Sequence, residues 1–409
     1  MKMTHKKKVL ILELVAIVFV ILVAAFPLED SPSVEAKTAV MVVAFDREDD
    51  KTKLYVQLTI PQQQADGSAK LLVVEADGKD IADAFEKMSV KMGLEIELAH
   101  CGIIIIGEQM SKEGFVEDLD YLLASSMVSP QISLLTCEGK AKDFMQKLNQ
   151  FSQTNGSGVF DVVAFSENSI NMRVISALKF LSENNLPSRA SSLPVIGFEM
   201  QESGGGGGGS DSGGGDGMES GSGGSGGGGG ESKTPILKEL STTMIYKNGK
   251  AVGTMSPIAT KGLSLFDTKS NKGYFEADNV VVDGKVISYV PMQVRKKDGK
   301  FKAEFIDGKP VITVEVNMML ETETRFKISK MGEFASKGEV KKAIEERSKE
   351  IVKAEIEEAL AFCGEVDADA LGIETAFYKQ CYAEYKKYAG DDEFVKNVQV
   401  DFKINVEVV

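Results

Sequence analysis

The chain has 409 residues and carries 47 Lys and Arg against 61 Asp and Glu, a formal net charge of −14. Nucleic acid and anionic lipid are therefore not expected as direct partners. Four Cys are too few for a disulfide-built scaffold in a chain long enough to bury two or three cores without them, and two His leave acid–base catalysis short of its commonest side chain.

Lys6, Lys7 and Lys8 precede Val9 to Phe26, an apolar stretch interrupted only by Glu13. This is the basic start and apolar centre of an export signal, or the lower limit of a membrane span. Val34-Glu35-Ala36 offers residues that a signal peptidase reads, whereas Pro27 and the polar run from Glu29 would equally end an uncleaved anchor. Residues 1–36 are thus a signal peptide or an N-terminal anchor, and the acidic remainder is expected outside the cytoplasm.

Thr38 to Phe45 and Lys53 to Ile60 read as a strand pair joined by an acidic turn, Asp46 to Asp50, and Asp66-Gly67 marks a further turn. The acidic turn lacks the central Gly of a calcium loop and is expected to be solvated. After Asp77-Gly78, Lys79 to Met92 places Ile81, Phe85, Met88 and Met92 on one helical stripe that Gly93 stops. Leu94 to Ala99 alternates, Gly102 to Gly107 is a continuous β-branched run, and Gln131 to Cys137 is another before the helix Ala141 to Leu148. His100 sits at a strand junction, where a hydrogen-bonded structural histidine is the expected role. Ser169 to Glu183 is expected to be helical, ahead of Leu193-Pro194-Val195-Ile196.

Ser203 to Ser232 is thirty residues, eighteen of them Gly, with almost no apolar side chain. It has no Gly-Lys-Ser/Thr ending, so a disordered linker is expected rather than a phosphate loop, with a span of roughly 30 Å. It divides the chain into an N-terminal α/β region, 37–202, and a C-terminal α+β domain, 233–409, expected to be loosely coupled. Asn248-Gly249, Asp283-Gly284, Asp298-Gly299 and Asp307-Gly308 then read as hairpin turns between strands such as Ser241 to Tyr246, Val286 to Arg295 and Val311 to Leu320.

Glu339 to Cys363 is a long charged helix with an apolar stripe of Val340, Ile344, Ile351, Ala359 and Phe362. A second helix, Thr375 to Tyr388, presents Phe377, Tyr378, Tyr382, Tyr385 and Tyr388 at helical spacing, as packing residues or as a partner surface. The final strand alternates Val398, Val400, Phe402, Ile404, Val406 and Val408 inward. The fold class expected is α+β and multi-domain, with mixed or antiparallel sheets each packed with helices. Cys101 with Cys137, and Cys363 with Cys381, are either disulfide pairs or reduced buried thiols.

In order and spacing the chain resembles the Ger(x)C family, the C subunits of spore germinant receptors. The resemblance rests on Gly78, Ile81 and Ala84 at a helix start, His100, a hydrophobic strand closing on Gly107-Glu108, Gly139-x-Ala141-Lys142-Asp143, and Asp369-Ala370-Leu371-Gly372 before an aromatic helix. It implies a non-enzymatic subunit on the extracytoplasmic face of the spore inner membrane, in contact with integral membrane A-type and B-type subunits. Members usually carry a lipidated Cys after the signal, but the first Cys here is Cys101. Members also commonly carry a Trp before the last strand, and this chain has none. The motif residues are expected to be structural, with no catalytic, metal-binding or cofactor-binding residue and no small-molecule ligand indicated. The rival expectation is an exported small-solute-binding protein, with a hydrolase or coat protein as a further one.

Overall fold

The computed structural model describes residues 37–61, 69–125, 127–155, 158–202, 233–267, 272–323, 337–391 and 393–409. The expected signal or anchor, 1–36, the Asp66-Gly67 turn and the glycine tract 203–232 lie outside the described residues.

The N-terminal unit is built on β1 (Lys37–Glu48), β2 (Lys51–Pro61), β3 (Ala69–Gly78), β4 (Glu95–Glu97), β5 (Ile103–Ile106), β6 (Ser133–Cys137), β7 (Ile175–Ser176) and β8 (Ala190–Ile196). Strands β1, β5, β6 and β8 run parallel, β2 and β3 extend the sheet antiparallel beyond β1, and β4 and β7 pair with β1 and β6. Because helices cover both faces, the parallel strands must be apolar on both sides. Ile104 and Ile106 enter the core shared with α1 (Ile81–Met92), α2 (Glu108–Glu113), α3 (Val116–Ala124) and α6 (Ala177–Asn184). Ile103 and Ile105 enter the opposite core with α4 (Ala141–Asn155) and α5 (Gly158–Glu167). The continuous run read from the sequence is thus explained residue by residue.

Two expectations need correction. Asp46 lies inside β1 and is buried, and the turn is only Asp49-Asp50, both with left-handed backbone. Ser169 to Glu183 is not one helix: a turn and irregular chain through Arg173 lead to β7, and only Ala177–Asn184 is helical, capped by the Ser176 hydroxyl on the Lys179 N–H at 3.4 Å.

Beyond the tract, β10 (Lys233–Leu237) pairs antiparallel with β9 (Phe198–Glu202), and β11 (Thr243–Lys247) with β12 (Lys250–Met255) forms a hairpin. That hairpin pairs with β8 through Thr243↔Pro194 to Lys247↔Ala190, completing a ten-stranded sheet. The tract therefore interrupts the chain but not the sheet, and the expected loose coupling is replaced by strand pairing across it. A second sheet of four strands holds β13 (Tyr274–Val282), β14 (Lys285–Ile306), β15 (Lys309–Thr322) and β16 (Gln399–Val408), the last parallel to β15. It packs on α8 (Lys337–Glu365), whose buried stripe is Val340, Ile344, Ser348, Val352, Ile356, Ala359 and Cys363.

Asn248-Gly249, Asp283-Gly284 and Asp307-Gly308 are hairpin turns, with both residues at positive φ. Asp298-Gly299 is not. β14 runs through it, pairing Asp298 with Asn317 and Gly299 with Val316. The glycine serves a close approach instead: a Cβ there would stand 2.4 Å from the Leu265 carbonyl oxygen, just beyond α7 (Pro257–Ser264). Next to it, buried Lys297 donates from Nζ to the Ser264 and Asp267 carbonyls, each at 2.8 Å, satisfying acceptors that the end of α7 leaves open.

Candidate functional site

Two of the motif segments, Gly107-Glu108 and Gly139-x-Ala141, meet at one carboxylate that sequence reading placed in a turn. Asp46 ends the apolar part of β1, at the carboxyl edge of the parallel strands where open α/β sheets commonly hold ligands. Its Oδ1 accepts the N–H groups of Arg47 at 2.9 Å and Met110 at 3.3 Å, and its Oδ2 accepts that of Ala141 at 2.9 Å. Met110 is in the first turn of α2 and Ala141 begins α4, so a single anion occupies two helix N-termini. Gly107 makes room: its Cβ would fall 2.3 Å from the Asp46 carboxyl carbon. The Gly107 N–H donates to the Phe45 carbonyl at 2.7 Å, and the Glu108 N–H to that of Gly139 at 3.0 Å.

Gly78 and Ala84 meet at the start of α1, where a Cβ on Gly78 would lie 2.3 Å from the Ala84 nitrogen. His100 is exposed on a turn and has no hydrogen bond to another described residue, so the expected hydrogen-bonded structural role is not what the structure shows. Among the described residues no group of three or more His, Cys, Asp or Glu is placed to hold a metal ion, and none of the described helices is long and apolar enough to cross a membrane. All four cysteines are free thiols; burial pushes those of Cys101 and Cys363 up to about 12.

The second assembly lies where the two sheets meet. Asp369 accepts the N–H groups of Ile373 at 2.9 Å and Glu374 at 2.7 Å, capping α9 (Ile373–Gln380) across Gly372, whose φ of 78° suits glycine. The expected continuous helix Thr375–Tyr388 breaks at Cys381 into α9 and α10 (Tyr382–Tyr385). Beside the break, the Gln380 side-chain amide mimics a peptide group along β14, accepting from the Ala303 N–H at 3.0 Å and donating to the Phe301 carbonyl at 2.8 Å. Phe377 and Tyr385 are fully buried and Tyr388 stacks on Phe305, so of the five aromatics only Tyr378 and Tyr382 are exposed. The Ser188 and Thr375 hydroxyls share a buried hydrogen bond of 3.1 Å across the junction.

Between these parts opens a cleft of about 700 Å³, lined by Ser188 and Arg189 before β8, Lys247 and Asn248 at the β11–β12 turn, and the ends of α8, α9 and α10. Lys247 and Lys396 pair with Asp367 at its rim, at 2.6 and 3.4 Å. The Tyr385 hydroxyl donates to Glu374 at 2.6 Å; burial, then that carboxylate, pushes its pKa up. Neither Arg189 nor the hairpin's share in this cleft carries a motif, so sequence reading could not assemble it. On the outer face of α8, Lys341–Glu345, Arg347–Glu350 and Lys353–Glu357 pair along the helix, a solvated surface as expected.

Burial pushes the Asp369 carboxyl up to about 7, against the pull of the N–H groups it caps. A folded-state value above the unfolded one means the folded chain keeps a proton that the unfolded chain releases. The stabilisation is complete below about pH 4 and is lost as pH rises through about 7. Asp369→Asn is expected to flatten this stretch of the stability–pH curve, with a uniform loss of about 1 kcal/mol from the weaker cap. Urea midpoints at about pH 4.5 and 7.5 check it. An unchanged slope would assign the titration to another group.

Comparison with known proteins follows the two units. Residues 30–198 match the family model of the spore germination protein N-terminal domain, and residues 241–409 that of the spore germination B3/GerAC-like C-terminal domain. Among solved structures, the crystal structure of the GerBC protein aligns with a TM-score of 0.51 at 15% identity, covering 90% of this chain and 96% of that one. At that identity the likeness is one of fold. No curated protein matches the sequence.

Proposed function

We propose that this chain, which belongs to the spore germination B3/GerAC-like family, is an extracytoplasmic subunit held at the spore inner membrane that acts through contacts with integral membrane A-type and B-type subunits. Membership gives it the role of a germinant receptor C subunit in spore germination. The proposal adds its place and its partners.

The observation that carries the reading is that the family models match the chain on both sides of the 203–232 tract, so both units of a receptor C subunit are present in one chain. The chemistry found at the motif residues, and at Asp46 beside them, agrees with it. Asp46, Gly78, Gly107, Gly139 and Asp369 hold helix ends and close approaches together, and their donors and acceptors are used within the fold. Work done through surfaces needs such a scaffold and no reacting group. Cys101, the first Cys of the sequence, packs in a core, and in this reading residues 1–36 or a partner supply the attachment.

Affinity capture with the full chain as bait, from detergent-solubilised membranes of the sporulating cells that express it, tests the proposal. Recovery of multi-span A-type and B-type proteins is the expected result. Their absence, with a bait whose circular dichroism shows a folded chain, would overturn it.

A further inference from the structure

The cleft at the junction of the two sheets has a donor excess that the fold does not use. Its carboxylates are engaged: Asp369 by the α9 N–H groups, Glu374 by the Tyr385 hydroxyl, Asp367 by Lys247 and Lys396, and Asp391 by the Glu393 N–H. The lining groups with no hydrogen-bond partner among the described residues are the Arg189 guanidinium, the Asn248 side-chain amide and the hydroxyls of Tyr378 and Tyr382, each of which can donate. Unspent donors in a concave site call for an acceptor-rich ligand, and a guanidinium fork suits a carboxylate in particular.

The cleft also has an apolar side. The Tyr378 and Tyr382 rings stand edge to face at 5.4 Å, and Tyr378 rests on buried Tyr385 at 6.1 Å, so the pair is braced although Tyr382 is 58% exposed. Such rings present flat apolar area at little cost in side-chain freedom. The volume of about 700 Å³ is in the range of small-molecule sites. Arg189 itself is held at a φ of 43°, with its carbonyl accepting the Asn248 N–H at 2.8 Å.

We propose that this cleft binds a small molecule bearing a carboxylate on a flat or apolar body, with Arg189 holding the carboxylate and Tyr378 and Tyr382 the body. The ligand would touch residues on both sides of the 203–232 tract, so its binding would favour the closed junction over any opened one. The inference stands apart from the receptor reading, because the cleft belongs to this chain whatever its partners.

Calorimetric titration of the full chain with benzoate, benzyl alcohol and acetate tests it. Benzoate is expected to bind saturably with a Kd of about 1 mM or tighter, and the other two about tenfold or more weakly. Arg189→Gly suits the left-handed backbone and so keeps the fold; it is expected to weaken benzoate about tenfold and leave benzyl alcohol unchanged. Tyr382→Leu is expected to weaken benzoate and benzyl alcohol and leave acetate unchanged. A folded chain that shows no saturable benzoate binding, or an Arg189→Gly chain that binds benzoate as well as the parent, would overturn the proposal.

Discussion

Asp46→Ala is expected to cost roughly 3–5 kcal/mol of folding stability, a large share of what a domain of this kind possesses. The carboxylate accepts three backbone N–H groups, and two of them, from Met110 and Ala141, belong to buried residues. Alanine leaves these donors without an acceptor and removes the anion from two helix N-termini, each loss worth about 1–2 kcal/mol. Asp46→Asn keeps one acceptor oxygen and should fall between. Gly107→Ala attacks the same junction from the other side, since its Cβ would stand 2.3 Å from the carboxyl carbon and must displace it. The two changes share one contact, so the double variant should lose distinctly less than the sum of the singles. Urea unfolding of the four chains measures the coupling. Strict additivity would show that Gly107 is needed for something other than room for Asp46.

That junction also marks how far the sequence could be read. Hydrophobic pattern alone gave the α1 stripe, the parallel strands and the alternating β16, because burial on one or two faces leaves a period that a linear scan detects. It failed where a residue's role depends on a distant backbone. Asp46 looked like the first residue of an acidic turn, but its partners lie 64 and 95 residues away. Asp298-Gly299 has the composition of a hairpin, yet Gly299 is needed because Leu265 approaches it. The Thr375–Tyr388 periodicity promised one helix, but the chain breaks at Cys381, next to the Gln380 side chain that joins β14. The donors of the cleft were invisible for the same reason: Arg189 and Tyr382 come to line one cleft only once β11 pairs with β8 and brings the two units together.

The second large effect is expected at Arg173, which lies in the stretch expected to be helical and which the structure places in irregular chain before β7. The guanidinium is almost fully buried; it donates to the Ser192 hydroxyl at 2.6 Å and forms an ion pair with Glu183, whose other oxygen accepts from Ser191 at 2.7 Å. Burial works against the Arg173 charge, and Glu183 more than restores it, leaving the pKa above its ordinary value. Arg173→Met keeps much of the volume but strands Glu183 as a poorly solvated carboxylate, at an expected cost of about 3–5 kcal/mol. Replacing both, as Arg173→Met with Glu183→Leu, removes the stranded charge and should recover more than half of that loss. Urea unfolding of the parent, Arg173→Met and the double variant measures the recovery. A double variant no more stable than Arg173→Met would mean that Arg173 acts through its bulk and not through its charge.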